Sequence, residues 1–124
     1  GSQELNDGSN SRSQDNDPLD ENGHGTAVAG IVAAQGNNHL GVIGLAFGST
    51  MMNLRAGGAS GFLQEDNIAQ AIIYAVDNGA KVLNMSFGDV EYSPFLKDAI
   101  RYAYENNVVI VGSAGNSPRC CSSE

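Results

Sequence analysis

The feature that most limits the folds open to this chain is Val108-Val109-Ile110-Val111, an unbroken run of branched apolar residues. A strand with one wet face alternates apolar and polar side chains, so such a run predicts a strand covered on both faces, as in a parallel sheet. The segments before it fit that sheet. Residues 64–78 carry Ile68, Ala71, Ile72, Ala75 and Val76 at helical spacing, with Asp66 as the expected N-cap and Gly79 as the stop. Residues 81–85 read as a strand, and Ser93-Pro94 opens a further helix, with Ser as cap and Pro at the first helical position. That helix presents Leu96, Ala99, Ile100 and Ala103 on one face. Upstream, residues 25–35 read as a buried helix ending at Gly36, residues 42–47 as a short apolar piece, and residues 51–55 as a strand. Helix and strand alternate three times, which predicts an α/β fold: a parallel sheet with flanking helices.

Residues 1–22 are rich in Asn, Ser, Gly and Asp, with Leu5 and Leu19 as their only large apolar residues. They read as an acidic loop or flexible arm ahead of a single domain over 23–124. Asp15, Asp17, Asp20 and Glu21 crowd its end; their spacing is not that of an EF-hand loop, and a solvated acidic loop is favoured over a calcium site. The net charge of -8 argues against nucleic acid or an anionic membrane as partner. No apolar run approaches the roughly 20 residues of a membrane span. No signal peptide is present, but Gly1-Ser2 at the start resembles a cloning remnant, so this says nothing of a parent protein. Cys120 and Cys121 are adjacent, and form neither a disulfide framework nor a zinc site. The glycine-rich residues 56–61 lack both Gly-x-Gly-x-x-Gly and Gly-Lys-Ser/Thr, which disfavours a nucleotide-binding domain.

In parallel sheets ligands bind beyond the carboxyl ends of the strands. Residues 57–61, 86–88 and 113–116 each follow a strand, so all three are expected on one rim, around His24. His24 sits between Gly23 and Gly25 at the start of a helix whose Gly25, Ala29 and Gly30 allow close packing. A polar group at such a first turn is held rigidly, as a general base requires. Taken singly, His24 reads more readily as a hydrogen-bonded core or surface residue, and Asn116 as a turn residue.

Three blocks together say more. Gly23-His24-Gly25-Thr26-Ala27-Val28-Ala29-Gly30 resembles the histidine block of the subtilisin-like serine proteases, the subtilases. Val82-Leu83-Asn84-Met85-Ser86-Phe87-Gly88 resembles their substrate-binding strand. Val108-Val109-Ile110-Val111-Gly112-Ser113-Ala114-Gly115-Asn116 resembles the strand that ends in the oxyanion asparagine. The resemblance covers about residues 15–116 and implies a partial subtilisin-like fold. It implies His24 as general base and Asn116 as oxyanion donor. It also implies that Gly57, Gly58, Ser86, Phe87 and Gly88 flank a peptide as backbone edges, with Ser113, Ala114 and Gly115 walling the pocket for the residue before the scissile bond.

The sequence departs from the family pattern at two of the three catalytic positions. The family's catalytic aspartate ends a hydrophobic strand upstream of the histidine, and no such strand precedes His24; Asp7, Asp15, Asp17 and Asp20 stand in polar loop. The nucleophile's Gly-Thr-Ser-Met-Ala block is absent, and Ser86, Ser113 and Ser117 lack that setting. The chain is therefore expected to be an internal segment of a longer serine endopeptidase, inactive alone, with a non-catalytic peptide-binding module as the alternative. Ala27 stands where many relatives carry a second His. The resemblance implies no required cofactor, leaves calcium open near residues 35–42, and implies a peptide or protein substrate and a secreted or cell-surface setting; the glycine-lined site suggests broad specificity. An incomplete sheet would also expose apolar surface, which predicts self-association.

Overall fold

The structure is a computed structural model that describes residues 3–4, 19–88 and 93–115. Its elements run β1 (Gln3–Glu4), α1 (His24–Ala33), β2 (Leu54–Arg55), α2 (Glu65–Asp77), β3 (Val82–Met85), α3 (Pro94–Glu105) and β4 (Val109–Gly112). The alternation expected from the sequence is present, and the strands pair in parallel. Among the described residues they form two two-stranded sheets, β1–β2 and β3–β4, rather than one. The Gln3–Glu4 strand corrects the reading of residues 1–22 as wholly loop: the edge of β2 offers backbone groups that a short polar segment satisfies as well as an apolar one.

The core lies between α2, α3 and one face of β3–β4. Ile68, Ala69 and Ile72 of α2 meet Leu96, Ala99 and Ala103 of α3, with Val108 closing the end. The alanines let the helix backbones approach closely. Leu83, Met85 and Ile110 pack on this cluster from the sheet. At the helix ends, the Tyr102 hydroxyl donates to Asp77 Oδ1 at 2.6 Å, joining α3 to α2. That bond and the nearby negative charge push the Tyr102 hydroxyl above its ordinary range.

The helix termini follow local chemistry. Ser93 Oγ accepts the Leu96 N–H at 3.2 Å, and Pro94 occupies the first turn of α3. Gly79, at φ 85, takes the left-handed conformation that stops α2. The N-cap of α2 is Gln64 with no side-chain bond, and Asp66 lies inside the first turn, which corrects the expected cap. There its charge complements the helix dipole instead.

Two burial expectations are also corrected. The 108–111 run is not covered on both faces: Val108 is 7% exposed, but Val109 is 58% and Val111 47% exposed. The pairs Val82↔Val109 and Asn84↔Val111 face away from α2 and α3, and no described helix covers that side. Similarly, α1 has no fully buried residue. It is held by backbone hydrogen bonds from the following loop: Gly44 N–H to Ala34 O at 2.9 Å, Leu45 N–H to Ile31 O at 3.1 Å and Ala46 N–H to Val32 O at 2.7 Å. Leu40, Val42, Ile43, Leu45 and Phe47 of that loop all remain exposed.

Candidate active site

His24 is the first residue of α1 and its side chain is exposed. The preceding Gly23 serves as N-cap at φ 92, a conformation suited to glycine, and it has no side chain to receive the orphan amides of the first turn. Asp20 receives the amide of Thr26, together with the two amides just ahead of the helix. Its Oδ1 accepts the N–H groups of Asn22 at 2.9 Å and Gly23 at 2.8 Å. Its Oδ2 accepts the Thr26 N–H at 2.9 Å and the Thr26 hydroxyl at 2.6 Å. The Thr26 hydroxyl first, then the amides of Gly23, Thr26 and Asn22, hold this carboxyl well below the usual carboxylate range.

Asp20 is thus not one of several solvated acids, as its sequence neighbourhood suggests, but the anchor of the histidine turn. The available signal was a carboxylate four residues ahead of a helix start that opens on glycine. Arg55, at the end of β2, secures the same loop by donating to the Leu19 carbonyl and, at 3.4 Å, to Glu21 Oε2. Asp15, Asp17 and Asp7 lie outside the described residues.

The segment carrying Gly57 and Gly58 leaves β2 and is fastened from two sides. Gly57 bridges Leu63 in antiparallel fashion, and a Cβ there would lie 2.8 Å from the Phe62 carbonyl oxygen, so the close approach requires glycine. The buried Asn67 of α2 donates to Ala56 O at 3.4 Å, and Asn22 Nδ2 donates to Ala59 O at 3.1 Å. The histidine loop and the glycine turn are therefore joined directly.

At the ends of β3 and β4 the last register pair, Met85↔Gly112, sets residues 86–88 beside 113–115. The Ser113 N–H donates to Met85 O at 3.3 Å and its hydroxyl to Phe87 O at 3.0 Å. The Phe87 side chain packs on the core cluster. Ser86 is half-buried, and Gly88, Ser113, Ala114 and Gly115 are exposed. Hydrogen bonds thus join the His24 loop to residues 57–61 and residues 86–88 to 113–115. Asn116 lies outside the described residues, as do Cys120 and Cys121.

The loop where calcium was left open folds around an open concavity of about 250 Å³ lined by residues 36–43. It holds no carboxylate, and Asn38 Oδ1 already accepts the Leu40 N–H at 3.1 Å. The oxygens this loop offers are thus amide and backbone carbonyl oxygens. Among the described residues no three His, Cys, Asp or Glu side chains group as a metal site, and no helix is long and apolar enough to cross a membrane.

A profile of the Subtilase family matches residues 1–123. The chain belongs to the subtilase family. It is 44% identical over 103 residues to a thermophilic serine proteinase of Bacillus sp. (strain AK1), covering 83% of this chain and 26% of that protein. It is 39% identical over 103 residues to thermitase of Thermoactinomyces vulgaris, covering 83% of this chain and 37% of that protein. Among solved structures it superposes on sphericase with a TM-score of 0.80 at 31% identity, covering 93% of this chain and 38% of that one. This subtilase chain therefore spans well under half the length of these relatives, and its α/β architecture is a partial subtilisin-like fold.

Proposed function

We propose that this chain supplies the general base and the oxyanion donor of a subtilisin-like serine endopeptidase. The observation that carries this reading is the exposed His24 imidazole, at the first position of a helix anchored by Asp20, in a member of the subtilase family. In the reaction a serine hydroxyl attacks the peptide carbonyl while His24 takes its proton. His24 then returns that proton to the leaving amine, and water repeats the sequence to release the acyl group. Asn116 would donate its side-chain amide to the oxygen that becomes negative in the tetrahedral intermediate.

Peptide backbone would lie against Gly57 and Gly58 on one side and Ser86, Phe87 and Gly88 on the other, adding a strand to these edges. Ser113, Ala114 and Gly115 would wall the pocket of the residue before the cleaved bond. This chemistry needs no cofactor. The partner is a peptide or protein, and a secreted or cell-surface setting goes with the family.

Among the described residues the His24 imidazole makes no hydrogen bond, so no carboxylate there fixes its tautomer. The sequence also holds no Gly-Thr-Ser-Met-Ala block. We therefore assign activity to a longer chain, with this segment inactive alone. The test is intact mass after a fluorophosphonate probe, on this chain and on one extended at both ends with its parent sequence. The expected result is no adduct here and a single adduct on the extended chain. An adduct on this chain would overturn the assignment, and none on either would favour a non-catalytic peptide-binding module. The exposed Val82, Val109 and Val111 support self-association of the segment, which light scattering showing a clean monomer would refute.

A further inference from the structure

The hydrogen bonds around Asn22 are arranged as a bridge. Its amide nitrogen donates to Ala59 O at 3.1 Å, inside the glycine turn. The oxygen of the same amide receives the His24 backbone N–H in a long contact of 3.4 Å. The Asn22 backbone is itself pinned, because its N–H donates to Asp20 Oδ1 at 2.9 Å. Glycine at residue 61 gives this side chain its room in the turn. Gly61 stands at φ +78, and a Cβ there would lie 3.1 Å from Asn22 Nδ2. Gly61 also closes the turn by donating its N–H to Gly58 O at 2.9 Å. One planar amide therefore touches both the turn and the residue at the head of α1, and each of its two ends has a single role.

We propose that Asn22 is a positioning residue that couples the glycine turn of residues 57–61 to His24. The coupling rests on the reading of that turn as a substrate edge. A planar amide transmits displacement because its oxygen and nitrogen move as one rigid body. A peptide that draws the turn toward itself also draws Ala59 O, and Asn22 carries that displacement to the His24 amide while Asp20 holds the far side fixed. Peptides long enough to engage the turn thereby set the base, so part of their binding energy is expressed in kcat and not in KM alone.

The bridge is tested without hydrolysis, by NMR on this chain. Gly61→Ala disturbs the turn, and the His24 backbone amide and imidazole nitrogen shifts report the response, with Ala99 and Ala103 in the core as reference signals. The expected result is a His24 shift change in the Gly61→Ala variant that is lost in Gly61→Ala/Asn22→Ala, while the reference signals stay put in both. A response that is the same with and without Asn22, or absent in both, overturns the coupling. Should Gly61→Ala not fold, Asn22→Asp serves instead. It keeps the acceptor for His24 and sets an oxygen against Ala59 O, so the Ala59 carbonyl and the His24 amide should shift together; a shift at Ala59 alone overturns the bridge. In the active extended chain, Asn22→Ala should remove the gain in kcat on lengthening the peptide and leave the gain in KM, and an unchanged gain in kcat again overturns the coupling. Failure of the extended chain to react with the fluorophosphonate would sink the protease reading, whereas an unmoved His24 sinks only the bridge.

Discussion

Val108 and Val109 are neighbours of the same type, and their substitution by alanine isolates what each face of β4 does. Val108 is 7% exposed and belongs to the core cluster; Val109 is 58% exposed on the uncovered face. Val→Ala removes two methyl groups, and at about 0.8 kcal/mol per buried carbon that is roughly 1.6 kcal/mol at full burial. With a small cavity left behind, Val108→Ala should cost about 2 kcal/mol. At Val109 less than half of the side chain is shielded, so the transfer contribution falls to about 0.6 kcal/mol with no cavity to add. Urea unfolding followed by far-UV circular dichroism reads the difference. With a slope of about 1–2 kcal/mol per molar, the two midpoints should separate by roughly 1 M. Equal losses at the two positions would mean that the outer face is covered after all, and would refute the one-sided packing.

Gly44→Ala should be destabilising by about 1–3 kcal/mol, because its Cβ would lie 2.5 Å from the backbone nitrogens of Ala33 and Ala34. Gly48→Ala, with open space around it, should be neutral in the same urea titration. Asp20 has a folded pKa below its unfolded one, so its contribution is complete above about pH 3.9 and is lost as pH falls through the folded value. The gap in melting temperature between the native chain and Asp20→Asn should therefore narrow on acidification, and a constant gap would contradict the role of its charge. Tyr102 has its pKa raised, so the sign is opposite: its bond to Asp77 contributes in full below about pH 10 and is lost as pH rises through the folded value. Tyr102→Phe should accordingly melt below the native chain at neutral pH and converge with it in alkali.

What the sequence displayed well was chemistry that acts within one turn. Ser93-Pro94 begins a helix because the hydroxyl and the missing N–H answer needs of that same turn, and Gly79 ends one because only its own φ is at issue. The stripe on α2 was legible for a related reason, since its periodicity is intrinsic to the helix. The unbroken run at 108–111 misled because branched residues record a preference for extended backbone and say nothing of what lies above and below them. Asp20 escaped notice because its partners are mostly main-chain amides, which leave no mark in a sequence. The link from Asn22 to Ala59 spans 37 residues and ends on a carbonyl, so it was equally silent. Of the candidate site residues, the motif proposed the identities, while the bonds that tie Ser113 to Met85 and Phe87 end on carbonyls and were silent in the sequence.

Every buried hydrophobic side chain among the described residues lies between Ile68 and Val108. Burial of apolar surface sets how much free energy a segment must lose to open, so the two halves of this chain should open on different scales. The half from α2 to β4 resists with its whole core. The half bearing His24 is held by the Asp20 carboxylate, the Asn22 and Asn67 amides, Arg55 and a few backbone bonds, and should open at lower cost than that core. Amide exchange at Thr26 should then proceed through local openings too small to register at Ala103, and a peptide that closes over the glycine turn would slow the first while leaving the second untouched.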